Sequence, residues 1–250
     1  MPPFDRLRSR SPEAEYMDDL TCGGAELTEA LRHLRRLNRL FAASGPTLYG
    51  IEKLWTAAGK PAELTVLDVG SGSGDVNRHV LRWADDRKIR MTVTLCDITD
   101  EACEEARRLF HDEPRVKVRR TGLFELPEGC ADIVTGTQFL HHFSSDELPG
   151  VVRTMLRTSR LGIAVNDIHR HWLAWSAVWL ASRVLSGNRY IRHDGPLSVA
   201  KGFSPKDWSV LGKALETPGY HVSWRPLFRY AVVIPREPQP AEESERKPCT

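Results

Sequence analysis

The chain lacks most of the marks that assign a sequence to a special class. Its five cysteines, Cys22, Cys96, Cys103, Cys130 and Cys249, are odd in number and none forms a CxxC pair. That argues against a disulfide framework and against a structural zinc site. Free thiols in a reducing cytoplasm are the expectation. An excess of one charge is missing as well: 35 Lys and Arg stand against 33 Asp and Glu, for a net +2. The arginines are spread along the chain, so nothing points to nucleic acid. The start, MPPFDRLRSRSPEAEYMDD, has no apolar centre of a secretory signal. The greasiest run, WLAWSAVWLASRVL (Trp172 to Leu185), contains Arg183 and falls short of the roughly 20 apolar residues needed to cross a bilayer. No internal repeat is visible.

What is present is an alternation of helical and strand patterns. ELTEALRHLRRLNRLFAA sets Leu27, Leu31, Leu34, Leu37 and Phe41 at helical spacing, with Arg32, Arg35, Arg36 and Arg39 opposite; this is an amphipathic helix. Gly45-Pro46 is read as its end, and TLYGIEKLWTAAGK as a second helix stopped by Gly59. From Leu64, short apolar runs alternate with helices: LTVLDV, MTVTLCDI, VKVRRT, ADIVTGTQF and LGIAVNDI. Such alternation predicts a doubly wound parallel sheet. YHVSWRPLF and RYAVVIP nearly touch in sequence, so they are expected to form an antiparallel hairpin at its edge. The fold class is therefore α/β, with a mostly parallel seven-stranded Rossmann-like sheet, an antiparallel C-terminal hairpin and a helical cap. The expected organisation is a cap or lid over residues 1–62, a ligand-binding domain over 63–235 with a cap insertion at about 168–205, and a disordered tail over 236–250.

The most informative stretch is LDVGSGSGDVNRHV, Leu67 to Val80. Gly70, Gly72 and Gly74 follow the first strand and precede a helix. Glycine there permits a tight turn and lets a ligand approach the backbone. Ligands of open α/β sheets sit at the carboxyl ends of the strands. The spacing is GxGxG, not the GxGxxG of a dinucleotide site, and Asp75 would repel a pyrophosphate. No Lys-Ser or Lys-Thr pair follows, which excludes a triphosphate loop.

VLDVGSGSG resembles the signature of class I S-adenosylmethionine-dependent methyltransferases. The resemblance covers roughly residues 64–235 and includes Asp97 ending the second strand, the ADIVTGTQFLHHF segment and the closing hairpin. More narrowly, YMDD, LNRL, FLHHF, VNDI and HDGPLSVAKGF resemble small bacterial methyltransferases associated with type III polyketide pathways. The resemblance implies S-adenosylmethionine as cofactor and S-adenosylhomocysteine as product. It implies that Gly70, Ser71, Gly72 and Gly74 approach the amino-acid part of the cofactor. Asp68 would orient the loop or meet the ammonium. Asp97, with Ile98 beside it, would take both ribose hydroxyls; the alternative for Asp97 is to cap the helix starting near Asp100. The family's acid after the third strand, which meets the adenine amine, is replaced here by Gly122 after Thr121, so backbone around Leu123 is assigned that contact. Gln138 is placed beside the cofactor tail or the acceptor. Tyr16 and Met17 would fold over the cofactor, the tyrosine face meeting the sulfonium, or else anchor the first helix.

Methyl transfer needs positioning, exclusion of water and sometimes a base. His141 and His142 follow the fourth strand, where the methyl group should point; each is a candidate base or substrate holder, or else a helix cap and a packing residue. Asp167 would pair with His169 or start a helix. His193 is read in a polar turn from which it reaches the site. The Trp172, Trp175 and Trp179 helix is a core helix, a wall of an apolar pocket, or a weak contact with a membrane surface. The sequence reading is O-methylation of a hydrophobic phenolic or polyketide-type molecule in secondary metabolism, by a cytoplasmic monomer or homodimer without nucleic-acid partners. C-methylation of an electron-rich acceptor, a scaffold that has lost catalysis and, more weakly, a nicotinamide-dependent oxidoreductase are the alternatives.

Overall fold

The computed structural model describes residues 7–19 and 23–236. Cys22, Cys249 and the tail beyond 236 lie outside the described residues. Two helices come first, α1 (Ala25–Leu40) and α2 (Ser44–Ala57). Gly45-Pro46 is not a break before α2 but part of its first turn, where proline's missing N–H would have no helical partner anyway. Then follow β1 (Glu63–Val69), α3 (Asn77–Asp86), β2 (Arg90–Asp97), α4 (Asp100–Leu109), β3 (Val116–Arg120), β4 (Ala131–Thr137), α5 (Leu148–Thr158) and β5 (Ser159–Ile168). The chain continues through α6 (Trp172–Leu185), α7 (Arg189–Lys201), α8 (Pro205–Leu215), β6 (His221–Arg225) and β7 (Arg229–Pro235).

The seven strands run in the order β3-β2-β1-β4-β5-β7-β6. β1 to β5 pair in parallel, and β7 lies antiparallel between β5 and β6. The chain winds one way from β1 to β3 and the other way from β4 onward, so a crevice opens at the carboxyl ends of β1 and β4. Each strand of the centre is apolar on both faces because both are covered. Leu64 and Val66 of β1 join a core with α2, α3 and α4, whereas Leu67 and Val69 join the opposite core with α5 and α8.

Helix ends follow local chemistry. The Thr99 side chain caps α4 by accepting from Ala102 N–H, and Ser204 and Asp207 form a reciprocal capping box on α8. The HDGPLS segment is not a turn: it lies within α7, with Pro196 inside the helix and buried. Of the three described cysteines, Cys96 and Cys103 are free and buried, but Cys130 is disulfide-bonded. The expectation of free thiols throughout is corrected at that position.

α2 lies unusually close to β5. A Cβ on Gly50 would sit 2.6 Å from the Ala164 Cβ, whereas one on Gly45 meets nothing within 4 Å. Gly50→Val is therefore expected to overpack this contact and cost about 1–3 kcal/mol, a fall of several degrees in thermal midpoint. Gly45→Ala, in the same helix, should leave the midpoint unchanged or raise it slightly; calorimetric melting of both checks this.

Candidate active site

At the crevice lies a cavity of about 400 Å³. Its floor is the glycine loop. Gly70, Gly72 and Gly74 all take positive φ, but for different reasons. A Cβ on Gly70 would strike the Phe139 ring at 2.4 Å, and one on Gly74 would strike Leu95 at 2.4 Å. At Gly72 the nearest atom is a Leu31 methyl at 3.9 Å, so this glycine bares its backbone to the open cavity. Gly70, Ser71, Gly72 and Ser73 line the cavity, but Gly74 does not; its role is packing under the turn.

Three carboxylates surround the loop. Asp68 is buried and accepts from Asn77 Nδ2 at 2.6 Å and Thr135 Oγ1 at 2.7 Å. Burial, reinforced by the charges of Asp75 and Asp97, pushes its carboxyl up to about 6 against those hydrogen bonds. Asp97 accepts Gly72 N–H at 2.8 Å on one oxygen, and Thr99 N–H and Oγ1 at 3.1 and 3.0 Å on the other. It thus holds the loop and steadies the helix cap, while Thr99, not Asp97, caps α4. A carboxylate has about four acceptor positions, so Asp97 keeps capacity toward the cavity it lines. Asp75 accepts from Asn38 Nδ2 at 3.3 Å; burial raises its pKa. Ile98, Gly122 and Leu123 form the side wall. Glu125, three residues after Gly122, bends back to accept from Thr121 Oγ1 and Gly122 N–H, so the acid missing after β3 is not restored inside the cavity.

The other half is apolar overhead and polar at its end. Leu27, Leu31, Leu34 and Leu37 of α1 line it, so part of the amphipathic stripe faces a cavity rather than a core. Gln138 has φ +55, a strained conformation for a side-chain-bearing residue. Its N–H donates to the Asn166 carbonyl at 2.6 Å and its Nε2 to Asn38 Oδ1 at 2.9 Å. Asn38 was not singled out in the sequence; its only signal there is a polar interruption among the leucines of α1. Asp167, at the end of β5, pairs with His141 and not with His169: the distance from its Oδ1 to His141 Nδ1 is 2.7 Å. Asp167 is fully buried, yet the His141 interaction holds its pKa below the ordinary value against that burial. His141 Nε2 lies 3.6 Å from Glu15. His142 Nδ1 lies 2.7 Å from Asp18 Oδ1. Burial disfavours the His142 cation, but the Asp18 hydrogen bond and the charges of Glu15 and Asp18 prevail, so its pKa is raised. His142 and Lys201 together hold the Asp18 carboxyl down at about 2, despite burial.

Glu15, Asp18 and Lys201 carried no recognisable spacing in the sequence. They meet because the segment through 15–18 is strapped onto α7: Tyr16 and Met17 N–H donate to the two Asp194 oxygens at 2.9 and 3.0 Å, and Ser198 Oγ donates to Glu15 at 3.0 Å. Glu15, Met17 and Asp18 line the cavity. Tyr16 and His193 do not; their rings stack on each other 3.8 Å apart, and His193 Nδ1 lies 2.7 Å from Asp194. Both are corrected from cofactor or acid–base positions to the outside of the strap. A larger cleft, about 1200 Å³, is lined by Arg36, Arg39 and Arg78 among others. It adjoins the first cavity at Asn38 and Asp75.

Fold and site together define a Rossmann-like α/β protein with a ligand cavity at the switch of strand order. Residues 66–162, the stretch from β1 into β5, match the family model described as a methyltransferase domain. The chain carries a methyltransferase domain, and its methyl donor is S-adenosylmethionine. The comparison with curated proteins gives no match. Among solved structures, the chain is similar to a SAM-dependent methyltransferase from Aquifex aeolicus, with 17% identity and TM-score 0.52 over 83% of this chain and 97% of that one. It is similar to human N-acetylserotonin methyltransferase in complex with SAM, with 12% identity and TM-score 0.59 over 95% of this chain and 66% of that one. It is also similar to magnesium protoporphyrin IX methyltransferase from Synechocystis PCC 6803, with 13% identity and TM-score 0.51 over 95% and 92%. At such identities the likeness is one of fold.

The residues present fit this donor. The bared backbone at Gly72 and the lining carboxylates suit a ligand that carries a sulfonium and an ammonium, as this donor does. Calorimetric titration with S-adenosylhomocysteine is expected to show binding, and NAD none. Asp97→Asn should weaken binding about tenfold or more, the worth of hydrogen bonds to a charged group. The affinity of S-adenosylhomocysteine is also expected to fall as pH drops through about 6, because a ligand ammonium favours ionised Asp68. A pH-independent affinity between 5 and 8 would remove Asp68 from contact with the ligand's charge.

Proposed function

We propose that the protein O-methylates a hydrophobic, phenolic small molecule, with His142 as general base. The observation that supports this most directly is the pairing of an apolar cavity half, walled by Leu27, Leu31, Leu34 and Phe143, with a histidine whose Nδ1 is engaged by Asp18. Nδ1–H donated to Asp18 leaves the Nε2 lone pair to accept the phenol proton. S-adenosylmethionine supplies the electrophilic methyl group. Gly72, Asp97 and Asp68 bind and orient it, and the strap through Glu15 and Asp18 excludes water. A phenol has a pKa near 10, so loss of its proton at neutral pH needs a nearby acceptor. Asp167 acts through His141, whose ring lies 4.3 Å from that of His142, and is a positioning residue.

Polyketide-type aromatics fit this description and are the acceptor class we favour. Carbon methylation is the second reading, supported by the same apolar wall; it would not require His142 to accept a proton from oxygen.

With labelled S-adenosylmethionine and a panel of phenols, His142→Gln is expected to lower kcat by a factor of about 10²–10⁴, the usual worth of general-base catalysis, without changing S-adenosylhomocysteine affinity. Activity should rise with pH through a limb set by His142, above the ordinary histidine value because the cation is stabilised. Asp18→Asn removes that stabilisation, so the limb should move to lower pH. Full turnover in His142→Gln would discard the base and favour carbon methylation.

A further inference from the structure

We infer that the outer face of α6 docks the protein on an anionic lipid surface. The helix is arranged the wrong way round for a water-facing element. Its fully buried residues are small, Ala174 and Ser182. Its large apolar residues point outward: Trp172, Leu173, Trp179, Leu180, Val184 and Leu185 are exposed, Leu180 at 58% and Val184 at 72%. The small face packs on α7, where Gly195 allows close approach: a Cβ there would lie 3.2 Å from Val178 Cγ1. Helices that turn small residues to a protein neighbour and large apolar ones away from it suit an apolar surrounding. An exposed patch of this kind marks an interaction surface, not a solvated one.

Charge identifies the occupant. Between His169 and His193 the chain holds Arg170, Arg183, Arg189 and Arg192 and no acid. Arg170 is buried and paired with Asp207, and Arg189 is paired with Glu26. Arg183 and Arg192 are exposed; Arg183 lies over the Trp179 ring at 4.1 Å, and Arg192 Nε donates to the Ser186 carbonyl, just past the end of α6, at 2.8 Å. Tryptophan and arginine around an apolar face match the headgroup region of an anionic bilayer. A second copy of the same face would set arginine against arginine across a two-fold contact. No helix among the described residues is long and apolar enough to cross a membrane, so α6 would lie in the plane of the interface. α7, packed against its inner side, carries Ile191, Gly195 and Ser198 to the cavity wall. The cavity would thus stand about one helix diameter from the lipid, where hydrophobic acceptors concentrate.

The test is flotation of the full chain with vesicles of phosphatidylcholine alone and of phosphatidylcholine mixed with phosphatidylglycerol. The wild type should float with the anionic vesicles and much less with the neutral ones. Leu180→Glu/Val184→Glu should lower that partitioning about tenfold or more, as two buried aliphatic side chains become charges, with S-adenosylhomocysteine affinity unchanged. If this variant no longer binds S-adenosylhomocysteine, Trp179→Ser/Leu180→Ser must give the loss instead. The inference fails if the wild type stays with the unbound protein, if a folded variant floats like the wild type, or if light scattering finds a wild-type dimer that the substitutions split, which would assign the face to a second copy.

Discussion

Three carboxylates held by hydrogen bonds, not by salt bridges among the described residues, organise the site. Asp68, Asp75 and Asp97 converge on the glycine loop, and among the described residues none of them makes a salt bridge. Their hydrogen-bond partners are amides, hydroxyls and backbone N–H groups. Those partners hold the geometry, but burial, with a smaller push from the Asp75 and Asp97 charges, keeps Asp68 from ionising until about pH 6. Such a floor favours a cationic ligand and repels a pyrophosphate. The switch in strand order opens the crevice, and the three carboxylates lie on its lining.

The second constraint comes from the chain's early residues. The strap through Glu15 and Asp18 has little secondary structure of its own beyond one short turn at Tyr16–Asp18. It is held by Asp194 and Ser198 of α7, and by Arg10, whose guanidinium donates to the His141 and Phe143 carbonyls at 3.0 and 2.8 Å. A continuous set of polar contacts thus runs from Asp167 at the end of β5, through His141, to Glu15 on the strap. The cavity is closed by the same contacts that fix its two histidines.

Much of this was legible beforehand. The alternation of apolar runs with helices located each parallel strand to within a residue or two, because buried strands and amphipathic helices must carry those patterns. The glycine spacing marked the tight turn after β1, where Gly70, Gly72 and Gly74 take positive φ and Asp97 accepts Gly72 N–H. Sequence and structure part where local composition is ambiguous. HDGPLS has the composition of a turn, yet it is helical because tertiary packing buries Pro196 and sets Asp194 against the strap. The family resemblance suggests Tyr16 over the cofactor or as an anchor of the first helix; within the strap Glu15 and Met17 line the cavity, while Tyr16 is exposed and stacks on His193.

The sequence by itself determined the sheet, its winding and the position of the glycine loop, since these follow from the order and period of apolar residues and from glycine's freedom at positive φ. Only the tertiary structure decided which ionisable groups meet. Asp167 chooses His141 over His169, its nearer neighbour in sequence, and Asp18 reaches His142 across almost half the chain. Such pairings depend on which segments pack together, and a polar side chain carries no periodicity that announces its partner.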